Sequence, residues 1–250
     1  MIKIAIKAVK EAGKILLNYY GNIKENYKGI GFDVGNVVTK ADLESEERIM
    51  NILKEKFPNH NFYGEEKIRE DNKSEYTWYV DPLDGTSNFS RNIPLFGISI
   101  GLVKGDKPVL GILFFPVLNL LIYAEKNKGA FANGKRINVS NRDLKNALYY
   151  SGGYYNRKLG TRTEILNKIG FIKIIDASSF EFAQIAMGDA ELYILTNVLH
   201  DVAAGVIIVQ EAGGKVTDYN GKEWKPNSIG IVASNKKIHN EVIRILNINS

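Results

Sequence analysis

The chain has 250 residues, 44% hydrophobic and 24% charged, enough to bury a substantial core without covalent or metal staples. It contains no cysteine, which excludes a disulfide framework, a thiolate zinc site and a cysteine nucleophile. The net charge of +5 comes from basic residues spread along the chain, a solvated surface and not a nucleic-acid footprint, and the longest apolar stretches, such as 109 to 118, are too short to span a bilayer. No signal-peptide pattern opens the sequence, so the expected location is the cytoplasm.

Residues 2 to 20 place Ile4, Ala8, Ala12, Ile15 and Tyr19 at helical spacing, and 41 to 57 repeat the pattern with Leu43, Ile49, Ile52, Leu53 and Phe57. The glycine-rich stretch from Gly29 to Gly35 lacks phosphate-loop spacing and reads as a loop. From 78 to 139, apolar runs alternate with turn signals at Lys104-Gly-Asp106, Lys128-Gly129 and Asn133-Gly134, predicting an antiparallel meander. Beyond 147, short apolar runs at 171–175, 192–195 and 229–233 alternate with helical patterns at about 159–169, 178–188, 201–212 and 235–246. The expected class is layered α/β with a mixed sheet, in two halves, 1–145 and 146–250, forming one compact unit.

The chemistry concentrates in Trp78-Tyr-Val-Asp-Pro-Leu-Asp-Gly-Thr-Ser-Asn-Phe89, where an apolar strand runs into an acidic turn. Pro82 and Gly85 bend the chain so that Asp81 and Asp84 can share one cavity. Upstream, Phe62-Tyr-Gly-Glu-Glu66 is another apolar run ending in acids; downstream, His200-Asp201 opens the apolar helix that ends at Gly214. Taken singly, each aspartate is an ordinary helix cap. The histidines, His60, His200 and His239, are too few and too scattered for a histidine-rich metal site, which leaves a hard-cation site of carboxylates open.

Together these blocks resemble the signature segments of the inositol monophosphatase superfamily, which includes fructose-1,6-bisphosphatases and 3′-phosphoadenosine 5′-phosphate phosphatases. The likeness runs from the first helix to about residue 234 and is most specific in Asp81-Pro-Leu-Asp-Gly-Thr86 and in Asp201-Val-Ala-Ala-Gly205 with Glu211-Ala-Gly-Gly214. The resemblance implies a five-layered αβαβα sandwich with mixed, largely antiparallel sheets, two or three Mg²⁺ per site, and a homodimer. It implies that Glu65, Asp81, the Leu83 carbonyl, Asp84 and Asp201 are metal ligands, with the last in the 146–250 half and the others in 1–145. Thr86 and Asp42 would position and activate the attacking water, with Glu65 and Asp84 in the catalytic set. Substrate contacts would come from Asp84, Gly85, Thr86, Tyr155, Arg157, Ser178 and Asp201.

Physics supports that transfer. Carboxylates about 5 Å apart repel by roughly 3 kcal/mol per pair at an effective dielectric near 20, so clustered acids require cations to stay ionised together. Oxygen-only ligands select Mg²⁺ over zinc, and bound cations would activate water and take charge from the leaving oxygen. The expected activity is Mg²⁺-dependent hydrolysis of inositol-1-phosphate and/or fructose-1,6-bisphosphate. The alternatives are a nucleotide 3′-phosphatase and a family member with a non-catalytic role in transcription complexes. Animal inositol monophosphatases carry an acid shortly before the later aspartate, whereas Ile194-Leu-Thr-Asn-Val-Leu-His200 has none, so strict inositol specificity is not expected. Tyr154-Tyr-Asn-Arg-Lys158 and Arg162 offer groups that could meet a second phosphate.

Overall fold

The computed structural model describes residues 1–21, 40–152, 163–196 and 198–247. Helix α1 (Ile2–Tyr19) buries Ala5, Ala8, Val9, Ala12 and Leu16, the stripe that the helical period dictates, against α2 (Lys40–Lys56), which turns inward Ala41, Ile49, Ile52 and Leu53. The pair covers one face of an eight-stranded sheet made of β1 (Asn61–Gly64), β2 (Arg69–Glu70), β3 (Tyr76–Asp84), β4 (Gly97–Lys104), β5 (Lys107–Phe115), β6 (Leu120–Glu125), β7 (Gly129–Ala132) and β8 (Lys135–Ile137). Its spatial order is β2-β1-β3-β4-β5-β6-β7-β8. The meander read from 78 to 139 is therefore the sequential antiparallel run from β3 to β8, while β1 joins it as a parallel neighbour of β3. Between β3 and β4, Thr86–Ser90 forms the one-turn helix α3.

A second sheet, ordered β10-β9-β11-β13-β12, is built from β9 (Leu148–Ser151), β10 (Phe171–Lys173), β11 (Leu192–Thr196), β12 (Lys215–Thr217) and β13 (Gly230–Ser234). Its outer face carries α4 (Thr163–Leu166) and α7 (His239–Asn247), which close a core around Tyr149, Ile194, Val232, Val242 and Ile245. Between the sheets lie α5 (Ser178–Met187) and α6 (Leu199–Glu211), surrounded by a core that includes Phe115, Ile122, Phe182, Tyr193, Val206 and Trp224. The layers run helix, sheet, helix, sheet, helix, as expected. Strands β9 and β12 are too short to show a period in the sequence. The glycine-rich stretch 29–35, Tyr154–Lys158 and Arg162 lie outside the described residues.

The middle helix layer depends on a line of small residues. Direct pairing across the first sheet puts Gly101 opposite Gly111, Gly111 opposite Ala124, and Ala124 opposite Ala130. Facing residues of adjacent strands project to the same side of a sheet, so the line forms a shallow trough, and α6 lies in it across the strands. A Cβ at Gly101 would stand 2.7 Å from the Ala203 side chain and 2.8 Å from the Ala204 amide, closer than carbon atoms approach. At Gly111 the first obstacle is the Ala204 carbonyl. Backbone on both sides leaves nothing soft to yield, so Gly111→Val is expected to destabilise the fold by about 2 kcal/mol or more, read as a lower urea midpoint at unchanged slope.

Candidate active site

Strand register brings the acidic segments together. Parallel pairing aligns Gly64 with Val80, and the Glu65 amide donates to the Val80 carbonyl at 3.1 Å, so Glu65 and Asp81 leave adjacent strands side by side. Asp81 faces Ser99 of β4, whose hydroxyl donates to the His200 carbonyl at 3.3 Å and ties down the first turn of α6, where Asp201 sits. Asp42, 1% exposed, lies in the first turn of α2, close enough for its charge to act on Glu65.

The acidic turn is a bulge. Asp81 pairs with Ser99 and Asp84 with Gly97, so Pro82 and Leu83 together oppose the single residue Ile98, and a proline inside a strand is tolerated where the ladder is already broken. The Leu83 amide donates to Asp81 Oδ1 at 2.9 Å, and the Ser45 hydroxyl of α2 donates to the Pro82 carbonyl at 3.0 Å. Gly85 then caps α3 at φ 83°, a left-handed conformation in which a Cβ would also meet the Leu95 carbonyl at 2.9 Å. The Thr86 hydroxyl donates to the Leu83 carbonyl at 2.9 Å.

Two neighbours clamp the acids. The amides of Ser178 and Ser179, at the start of α5, donate to Asp84 Oδ1 and Oδ2 at 3.0 and 2.7 Å, and the Ser179 hydroxyl adds a short bond to Oδ2. Glu46, 2% exposed and one turn after Asp42, accepts the amides of Glu66, Lys67 and Ile68 at 2.8 to 2.9 Å and so holds the loop that begins at Glu65. Sequence reasoning missed both Glu46 and Ser179. The i, i+4 spacing of Asp42 and Glu46 on one helix is the only signal that pointed to the former.

Burial without a positive partner governs the electrostatics. Among the described residues, no lysine or arginine forms an ion pair with Glu65, Asp81, Asp84 or Asp201; His200 alone approaches, with Nε2 3.1 Å from Asp201 and 4.0 Å from Glu65. Desolvation, reinforced by the neighbouring acids, raises Asp81 and Asp201 well above the usual carboxylate range. Burial pushes Glu65 up to about 7 despite its hydrogen bond with Asp81. Asp84 reaches about 6, burial outweighing the bonds from Ser179 and Ser178. The imidazole of His200 is lowered to about 4 by burial, with Arg69 adding to the effect, so it is neutral at pH 7. The other histidines are structural: His60 accepts from the Trp78 indole at 3.0 Å, and His239 bonds Ser234 and Thr217 at 2.7 and 2.9 Å.

A hard divalent cation fits this site on chemical grounds, since buried oxygen donors repel one another and nothing cationic offsets them. Among the described residues, no three acidic or histidine side chains stand in a ready-made coordination shell, so the fit rests on donor type and charge. Of the expected substrate contacts, Asp84, Gly85, Thr86, Ser178 and Asp201 gather here, whereas Tyr155 and Arg157 lie outside the described residues.

The raised acids fix a sign. Glu65 has an ordinary value of 4.5 and a folded value of about 7, so its stabilising contribution is complete below 4.5 and lost as pH rises through 7. The metal-free protein should therefore melt at progressively lower temperature between about pH 4.5 and 7, and Mg²⁺ should raise the melting temperature more at pH 8 than at pH 5; the reverse trend in a thermal scan contradicts this electrostatic account. Glu46→Gln removes the charge and keeps one acceptor oxygen, but turns an NH2 group toward at least one of the three N–H donors. It should raise the Mg²⁺ concentration for half-maximal thermal stabilisation about tenfold, the scale of one charged hydrogen bond.

Comparison with known proteins agrees with this geometry. The family model described as "Inositol monophosphatase family" matches residues 1–249. A fructose-1,6-bisphosphatase/inositol-1-monophosphatase of Thermotoga maritima is 35% identical over 98% of this chain and 95% of its own length. An inositol monophosphatase of Mesembryanthemum crystallinum is 34% identical over 96% of this chain and 93% of its own. The solved structure of an IMPase from Thermotoga maritima superposes with a TM-score of 0.89 at 34% identity, covering 98% of this chain and 96% of that one. The inositol monophosphatase from Anabaena gives 0.85 at 31%, covering 98% and 94%. With its acids gathered by strand register and its whole length matched, the chain belongs to the inositol monophosphatase family and is a phosphatase of that metal-dependent family.

Proposed function

We propose that the protein hydrolyses small phosphorylated polyols, inositol-1-phosphate and/or fructose-1,6-bisphosphate, with two or three Mg²⁺ bound to Glu65, Asp81, the Leu83 carbonyl, Asp84 and Asp201. The observation that carries this reading is the convergence of buried and half-buried carboxylates from the end of β1, from β3 and from the first turn of α6, with no lysine or arginine among the described residues to neutralise them. Relatives from Thermotoga maritima and Aquifex aeolicus that bear both phosphatase names support the substrate pair.

Bound cations supply the positive charge that a phosphate dianion and its leaving oxygen require. The protein's own groups do the rest. The hydroxyl of Thr86 donates its hydrogen to the Leu83 carbonyl, which leaves its oxygen lone pairs free to accept a hydrogen bond from an attacking water. Asp42, buried beside Glu65, is the acid through which that water is oriented. The amides of Gly85 and Thr86, where α3 begins, face the phosphate oxygens. Ser178 acts through its amide, which keeps Asp84 aimed at the cluster.

The halves 1–145 and 146–250 work as one compact unit, a reading supported by α6 packing against both sheets. A homodimer is supported by strand β10, which among the described residues has no partner on its outer side and near which Phe171, Ile172 and Ile174 are 68, 45 and 64% exposed. Among the described residues no helix is long and apolar enough to cross a membrane, and the cytoplasm remains the proposed location.

Asp84→Asn or Asp201→Asn should lower turnover on inositol-1-phosphate at least about a hundredfold at saturating Mg²⁺ while the fold survives. Near-normal turnover in either variant rules out the ligand assignment. Thr86→Ala should reduce kcat far more than it weakens Mg²⁺ binding, and parallel metal titration and thermal melting distinguish that from a structural loss.

A further inference from the structure

Asp176 belongs to none of the groups assigned so far, yet it stands at the mouth of the site. It lies two residues before Ser178, whose amide holds Asp84, and its carboxylate Oδ2 accepts the hydroxyl of Ser87 at 2.9 Å, next in sequence to Thr86. It thus spans the gap between the starts of α3 and α5. Its charge acts on Asp84, Asp201 and Glu181, which places it within electrostatic reach of the acidic cluster. The side chain is exposed, and among the described residues no lysine or arginine pairs with it.

Two costs attach to this placement. The backbone sits at φ 63°, a left-handed conformation that glycine adopts without strain and aspartate only at some penalty. A negative charge at the entrance also repels an incoming phosphate and the acids behind it. A compensating contact has to be one that a carboxylate makes and glycine does not. One oxygen of Asp176 accepts the Ser87 hydroxyl, no second hydrogen bond to it is seen among the described residues, and the exposed side chain lies next to the start of α3, where the phosphate is proposed to bind. The donors that a phosphorylated polyol brings to that position are its hydroxyls, and a carboxylate is the strongest acceptor available for them.

We infer that Asp176 is a specificity-determining residue that accepts hydrogen bonds from substrate hydroxyls adjoining the phosphate and selects polyol phosphates over esters without hydroxyls. This rests on the phosphatase reading above and supplies, from another segment, the acid that is missing ahead of Asp201. It predicts breadth among polyols, since inositol and fructose phosphates both carry such hydroxyls, together with poor use of hydroxyl-free esters.

The test compares inositol-1-phosphate with p-nitrophenyl phosphate, which has no hydroxyl, in the wild type, Asp176→Gly and Asp176→Asn. Both replacements tolerate the left-handed backbone, so the melting temperature should stay within a few degrees. The expected result is a fall in kcat/KM of about tenfold or more for inositol-1-phosphate, the loss of one charged hydrogen bond, with p-nitrophenyl phosphate within about twofold of wild type or improved. Equal losses on both esters, with or without a lower melting temperature, mean that Asp176 only caps α5 or supports the metal site, and overturn the proposal. No change on either ester overturns it as well. If the wild type hydrolyses neither ester with Mg²⁺, the phosphatase reading falls and takes this proposal with it, whereas retained p-nitrophenyl phosphate hydrolysis confines a failure to Asp176.

Discussion

The approach of α6 to the sheet is the constraint on which the site depends. A helix packed on a sheet through large side chains stands about 10 Å away, whereas here Gly101 and Gly111 let the backbone of Ala203 and Ala204 rest almost directly on the strands. That closeness lets the first turn of α6 reach the end of β3, so Asp201 meets Asp81 and Asp84 although more than a hundred residues separate them in the chain. It also makes α6 common property of both sheets, with Val206 and Ile208 in the same core as Phe115 and Ile231.

Gathering acids in a buried place opposes folding, and the structure counters this by fastening the backbone around them. Asp84 receives three hydrogen bonds from two adjacent serines at the start of α5, where the helix dipole also favours a negative charge. The loop of Glu65 hangs on Glu46, and the bulge of Pro82 hangs on Ser45. These contacts fix positions without neutralising charge, which leaves the acids with raised pKa values and an appetite for cations.

Much of this was legible from the residues. The helical stripes of α1 and α2 and the turns at Lys104-Gly-Asp106 and Asn133-Gly134 obey local rules, and the structure follows them. The acidic blocks stood out because Asp81-Pro-Leu-Asp-Gly-Thr86 combines a strand end, a bulge-forming proline and a left-handed glycine. Their convergence was not legible without the family resemblance, since it arises from the parallel pairing of Gly64 with Val80 and from the packing of α6, both long-range. Glu46, Ser179 and Asp176 escaped notice for the same reason. Each looks like an ordinary polar residue on a helix or at its start until the partner from a distant segment is in view.

Helix α2 carries Asp42, Ser45 and Glu46 within little more than one turn: Asp42 is the residue proposed to orient water, Ser45 holds the Pro82 bulge and Glu46 holds the Glu65 loop. An α-helix is stiff along its axis, so thermal motion of α2 displaces all three by the same vector. Asp42, the bulge and the loop then drift together while their mutual spacings persist. In mechanical terms the fluctuation is common-mode, and the in-line geometry of a phosphoryl transfer is sensitive only to the differential part. A disturbance that bends α2 between residues 42 and 46 is thus more damaging than a larger one that shifts it whole.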